Sequence, residues 1–185
     1  MSTTSLRVDH DLIEKVIKAM QSTIQLLNDK KQIPESILLP VIDFSKNFTD
    51  VCHHTKEEKS LFPALEKAGL PTNMGPIAMM LMDHKRSREI GNEMEKSAKE
   101  YLSSGNSEKL IINMQLYVDH ITEHLWKENN KLFMMAESRL QNVSKKVDEE
   151  LQEVEELQLN EIGKSRQHYE ELAENLTNDV SNHGT

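Results

Sequence analysis

The sequence predicts an all-α protein: an up-down-up-down antiparallel four-helix bundle with an extra C-terminal helix. Three observations carry that expectation. Leu, Glu, Lys and Met are plentiful, whereas 185 residues contain only 6 glycines and 5 prolines, a helix-former's profile. Apolar residues recur at three- and four-residue spacing, and no stretch alternates with period two over strand length. Turn formers gather in a few short breaks, and short connections make successive helices antiparallel.

The first helix, about 8–29, carries Ile13, Val16, Ile17, Met20, Ile24 and Leu27 on one face and ends at Asp29-Lys30-Lys31-Gln32-Ile33-Pro34. The second, about 35–66, contains Pro40, which kinks it or delays its start. Gly69-Leu70-Pro71-Thr72-Asn73-Met74-Gly75-Pro76 separates it from the third, about 76–102. After Ser103-Ser104-Gly105-Asn106-Ser107 comes the fourth, about 107–137, with Tyr117, Ile121, Leu125 and Leu132 in helical register. A fifth, about 146–177, is acidic, with Val147, Leu151, Val154, Leu157, Leu172 and Leu176 as its apolar members and Gly163 as a weak point. The organisation expected is therefore a bundle over residues 1–142 and an acidic helical extension over 143–185, packed on the bundle or on a partner chain.

Composition removes several functions. Lysine plus arginine number 22 and aspartate plus glutamate 31, a net charge of −9 without a basic cluster, so nucleic acid is not expected as a partner. No apolar run approaches the roughly 20 residues that span a bilayer, and Met1–Arg7 holds no apolar signal core. The single cysteine, Cys52, excludes an internal disulfide and fits a reducing compartment, so a cytoplasmic location is expected.

The chemistry lies in the 8 histidines. His183 falls in a polar tail and His168 in the acidic segment. His10 continues the apolar face of the first helix, and His120, His124 and Glu128 run at four-residue spacing beside the apolar face of the fourth. A carboxylate there is costly unless paired or coordinated; Lys131 can pair with Glu128 but leaves His124 unexplained. Heights agree as well. At ~1.5 Å per residue, His10 and His53 lie almost equally far from the first break, and His84 and His124 almost equally far from Gly105. Two of these helices add a carboxylate one turn on, in His53-x-x-x-Glu57 and His124-x-x-x-Glu128, where i and i+4 share a face. One inward histidine is usually a satisfied core residue, and one His-x-x-x-Glu pair is usually solvated. Four height-matched histidines with two such pairs point to a metal site. Imidazole and carboxylate donors suit iron, manganese or zinc, and two bridging carboxylates favour a pair of ions. Helix two has an alternative register, since His54-x-x-x-Glu58 is also present and lies nearer the face of Phe44, Phe48 and Val51. His53/Glu57 is preferred because Leu61-Phe62 follow it at the offsets at which Leu132-Phe133 follow His124, and a local helix irregularity would reconcile the two registers.

These residues resemble the hemerythrin-like, HHE cation-binding family. The resemblance rests on His53-His54-Thr55-Lys56-Glu57-Glu58-Lys59-Ser60-Leu61-Phe62-Pro63, on Met74-Gly75-Pro76-Ile77 with Asp83-His84, and on Glu123-His124-Leu125-Trp126-Lys127-Glu128-Asn129-Asn130-Lys131-Leu132-Phe133, with His10 supplying the first-helix histidine. The chain is also similar to the di-iron domain of iron-centre repair proteins, which share the Met-Gly-Pro-Ile and Glu-Asn-Asn stretches but often carry a cysteine-bearing N-terminal module missing here. The resemblance implies two non-haem iron ions, bridged by carboxylates and an oxo or hydroxo group, with ligands His10, His53, Glu57, His84, His124 and Glu128. Oxygen-carrying members have a second histidine one turn from that of helix three. Here those positions are Met80 and Arg88, so one coordination position is open, filled by water, or supplied by His120.

The function expected from this is binding or sensing of oxygen, nitric oxide, peroxide or redox state, with a small diatomic or peroxide ligand as partner. Iron delivery or repair of damaged iron centres under stress is the first alternative, and a di-iron enzyme using oxygen or peroxide the second; binding is preferred over catalysis. A metal-free interaction bundle is the remaining class. The methionines, among them Met79, Met80, Met82, Met134 and Met135, read as ordinary core filling or as an adaptable pocket lining, and Cys52 as a buried apolar thiol.

Overall fold

Every break in the helical structure falls at a cluster of turn formers. The structure, a computed structural model, describes residues 3–184. Six helices are present among them: α1 (Thr4–Asn28), α2 (35–67), α3 (Gly75–Ser104), α4 (108–139), α5 (Ser144–Ile162) and α6 (Arg166–Gly184), with no strand. The first four follow the expected helices to within a few residues and form the antiparallel bundle. The expected fifth helix is two. Gly163 stands at φ 73°, and the Gly163 and Lys164 amides bond back to the carbonyls of Asn160 and Leu159, which ends α5 in a left-handed cap that side chains with a Cβ rarely adopt. Before this turn α5 runs against α2, and after it α6 lies along α1 and α2.

Pro40 does not delay α2; it sits inside the helix, which begins at Glu35. Beyond it the helix widens. Backbone hydrogen bonds skip to the fifth residue over Phe44–His54 and again over Glu57–Leu61, and α4 does the same over Glu128–Leu132. Wide turns of this kind shift the register of a helix face and concentrate at functional sites.

The apolar residues divide into two clusters with a polar layer between them. The larger takes Ile13, Val16 and Met20 of α1, Phe44, Phe48 and Cys52 of α2, Met94 of α3 and Met114 and Ile121 of α4. Leu159 of α5 and Tyr169, Ala173, Leu176 and Val180 of α6 belong to it as well. The smaller joins Leu6, Leu61, Phe62, Ile77, Met80, Leu132 and Phe133 with Val147 and Leu151 of α5. Along each bundle helix one cluster stops before the other starts, and the height-matched histidines fall in the gap or, for His124, one residue before it. The C-terminal extension is thus core for both clusters, and it packs on its own bundle.

Candidate metal centre

The polar layer gathers all six side chains singled out in the sequence. His10, His53, Glu57, His84, His124 and Glu128 are at most 1% exposed. One group of donor atoms is offered by His10, His53, Glu57 and Glu128, a second by Glu57, His84, His124 and Glu128, each set lying within 4.8 Å. Both carboxylates therefore belong to both groups. A third overlapping group adds a residue that the preferred register passed over: His54, fully buried, lies with His84 and His124. Its ring stacks on His84 at 4.0 Å between centroids.

The widened backbone of α2 explains how two consecutive histidines both face inward. In an ideal α-helix neighbouring side chains diverge by about 100°. The extra residue per turn over Phe44–His54 relaxes that constraint, so the two registers of the sequence are not alternatives. The signals for His54 were its place on the Phe44/Phe48 face and the lack of a second histidine in α3. His120 does not join the cluster; its Nε2 lies 2.9 Å from the Asp83 carbonyl oxygen. Arg88, one turn beyond His84, turns away to bind Asp50 and Glu58.

Each of the five rings directs Nδ1 outward, four of them to a hydrogen-bond acceptor and the fifth towards a more distant carboxylate. His10 Nδ1 meets Asn129 Oδ1 at 3.0 Å, His53 meets Asp9 at 3.1 Å, His54 meets Asp50 at 3.3 Å and His84 meets Glu58 at 2.8 Å. His124 Nδ1 stands 3.7 Å from Asp83. Ionised carboxylates and amide oxygens only accept, so Nδ1–H donates in each hydrogen-bonded pair and the Nε2 lone pair is left for the interior. Every acceptor is held in turn by a cation: Asn129 by Arg7, Asp9 by Lys56 and Arg166, Asp50 and Glu58 by Arg88, and Asp83 by Lys127. An outer carboxylate that fixes tautomer and ring angle is the usual support of a metal-binding histidine.

Phe62 stacks beneath His84 and Phe133 beneath His10, each ring lying four residues past its helix's Glu58 or Asn129. The two halves of the site consequently correspond: Asp9 and Asp83, His10 and His84, His53 and His124, Lys56 and Lys127, Glu57 and Glu128, Phe62 and Phe133. Short motifs repeat where no long repeat exists.

The donor set fits a pair of cations. Nε2 of His54, His84 and His124 and all four oxygens of Glu57 and Glu128 are buried without a hydrogen-bond partner. Yet His84 Nε2 is 3.2 Å from Glu57, and Nε2 of both His10 and His124 are 3.3 Å from Glu128. Close approach without hydrogen-bond alignment means that these lone pairs converge on common points rather than on one another. An unpaired buried polar group costs about 1–3 kcal/mol, a cost that cations bound among these seven atoms would remove. Charge argues the same way. Burial, reinforced by the neighbouring Glu128, pushes the Glu57 carboxyl well up, whereas Glu128 is held far down against its own burial by His124 and His10. Burial lowers His53 to about 4 even against its bond to Asp9, and burial with His84 and His124 alongside holds His54 well below the usual range. These two histidines are thus neutral at pH 7, the form that ligates metal, whereas, against their burial, the carboxylates facing His10 and His84 raise that pair.

Searches of characterised proteins and of solved structures return no significant match. A family comparison does: the hemerythrin HHE cation-binding domain matches residues 1–136, a span that ends before α5 and includes every one of the seven clustered donors. The chain belongs to the hemerythrin HHE cation-binding domain family.

Proposed function

We propose that the chain is a non-haem di-iron protein that binds or senses a small oxidant or gas: oxygen, nitric oxide or peroxide. Seven buried donors sharing two carboxylates between two groups carry the reading. His10 and His53 would hold one ion, His54, His84 and His124 the other, with Glu57 and Glu128 common to both. Two iron ions there would supply redox-active binding of a diatomic or a peroxide. The chain's own residues do the rest. Asp9, Asp50, Glu58 and Asn129 hold the Nδ1 protons of their histidines and so keep the ring angles fixed. Phe62 and Phe133 wall the site, and the two apolar clusters exclude water above and below it. Donors at most 1% exposed admit only a ligand of a few atoms without opening the bundle. The same burial favours retention over iron delivery, which needs an exchangeable site.

Anaerobic ferrous titration with elemental analysis tests this: two equivalents are expected, followed by a reversible optical change on adding nitric oxide or oxygen. Saturation at one equivalent would sink the dinuclear reading, and steady consumption of oxygen or peroxide would assign an enzyme instead. In the same titration His54→Ala should lose metal as His53→Ala does, while His120→Ala keeps both equivalents. The opposite ranking of His54 and His120 would return His54 to a packing role.

A further inference from the structure

The two halves of the site correspond residue by residue until the surroundings of Asp9 and Asp83 are compared. On the α4 side, Asp83 is held by Lys127 at 3.1 Å, is 16% exposed, and stands 3.7 Å from His124 Nδ1. On the α2 side, Asp9 is wholly buried and 3.1 Å from His53 Nδ1. Its other oxygen accepts from Arg166 at 2.8 Å, and Lys56, 2.6 Å from Asp9, also reaches Glu155. Arg166 closes the ring of charges on Glu155 at 2.9 Å. Glu155 and Arg166 lie on α5 and α6, outside residues 1–136 that the family match covers. The Gly163 turn between these helices brings the two residues to one place.

We propose that Arg166, with Glu155, is a positioning residue of the metal centre: through Asp9 it fixes the ring of His53, so that docking of the C-terminal extension and retention of the His10/His53 ion are coupled. This rests on the di-metal reading above. The physical case is the balance of the network. On the inner side two carboxylates, Asp9 and Glu155, face two cations, Lys56 and Arg166, where burial makes any uncompensated charge costly; the exposed Glu170 meets Arg166 from the solvent side at 3.1 Å. With Arg166 in place, each oxygen of Asp9 has a cation of its own, and the oxygen that Lys56 holds also takes the His53 proton. Without Arg166, Asp9 and Glu155 share Lys56 alone, which leaves one surplus negative charge between them, and the Asp9 oxygen that Arg166 held loses its partner, so the carboxylate is free to rotate away from the imidazole. The half of the site without an equivalent of Arg166 already shows the looser distance. Coupling of this kind is reciprocal, so occupation of the site should also hold the extension down.

The test is an anaerobic cobalt(II) titration of the full chain, followed by visible absorption, on four proteins: wild type, Arg166→Gln, Arg166→Lys and Leu176→Ala. Leu176 is buried in α6 away from the charges, so its truncation lowers the stability of the folded chain while the docked extension still brings Arg166 to Asp9. Arg166→Gln is expected to weaken one of the two equivalents by roughly 10–100-fold and leave the other alone, the size typical of a lost support to a ligating histidine. Arg166→Lys should restore most of the loss. Leu176→Ala should lower the Tm while both equivalents bind as in wild type. In the cobalt-loaded protein the His53 ring N–H resonance should exchange faster in Arg166→Gln only. Should Arg166→Gln not fold, Glu155→Gln provides the second perturbation and is expected to weaken the same equivalent. Wild type saturating below two equivalents would overturn the di-metal reading and this inference with it. Two equivalents in wild type with unchanged binding in Arg166→Gln, or equal losses in Arg166→Gln and Leu176→Ala at matched Tm, would overturn this inference alone.

Discussion

The same substitution, Gly→Ala, is expected to act with opposite sign at two positions. Gly163 holds φ 73° at the end of α5, and a Cβ built there meets nothing within 4 Å. Space is therefore not the constraint; backbone conformation is. An L-residue in the left-handed region costs about 1–2 kcal/mol, and Gly163→Ala should lose that much. For a chain of this size 1 kcal/mol moves the Tm by roughly 2–4 °C, so a fall of about 2–8 °C follows from the two scales together. Gly91 lies within α3 at ordinary helical φ, and its added Cβ would meet Tyr117 Cε2 at 3.6 Å, an ordinary van der Waals contact. Relief of glycine's helix penalty is worth about 0.5–1 kcal/mol, so Gly91→Ala should raise the Tm by about 1–4 °C. Thermal melts of the metal-free proteins by circular dichroism, with urea titrations as a check, read both. Shifts of the same sign would refute the reasoning: two rises would show that the α5–α6 turn does not depend on the left-handed cap, and two falls that α3 has no room for a Cβ beside Tyr117.

A chain ending at Asn142 should no longer fold cooperatively as a monomer, because Leu159, Tyr169, Leu176 and Val180 belong to the larger apolar cluster and Val147 and Leu151 to the smaller. Burying each such side chain is worth roughly 1.5–3 kcal/mol before ordering costs. Size-exclusion chromatography and a melt decide it, and a monomeric fragment melting within a few degrees of the full chain would contradict the packing described. Cys52, whose thiol burial pushes up to about 12, should resist iodoacetamide at pH 8 in the native protein and react once urea unfolds it. Because that acid is weakened on folding, its contribution to stability is complete below pH about 9 and is lost as the pH rises towards 12. Rapid native labelling at pH 8 would show an exposed thiol instead.

How much of this was legible in the sequence depended on the range of the cause. Helix boundaries follow from local chemistry: turn residues such as Gly75-Pro76 and Ser103–Ser107, and apolar spacing between them, act over a few residues. The height match of His10, His53, His84 and His124 was legible for the same reason, since helical rise is fixed and the connections are short. Sequence by itself thus determined the bundle, the level of its polar layer and six of the seven buried side chains that cluster there. Tertiary structure decided what depends on departures from ideal geometry or on distant partners. An ideal wheel forces a choice between His53 and His54, and only the widened turns of α2 let both face inward. The acidic segment read as one helix packed on the bundle or on a partner chain, because helix spacing cannot show that Gly163 folds it back. Nor can spacing show that Arg166 then meets Asp9, 157 positions earlier in the chain. Such contacts come from packing two helices against a finished bundle, and a charge pair between elements leaves no periodic trace in either one.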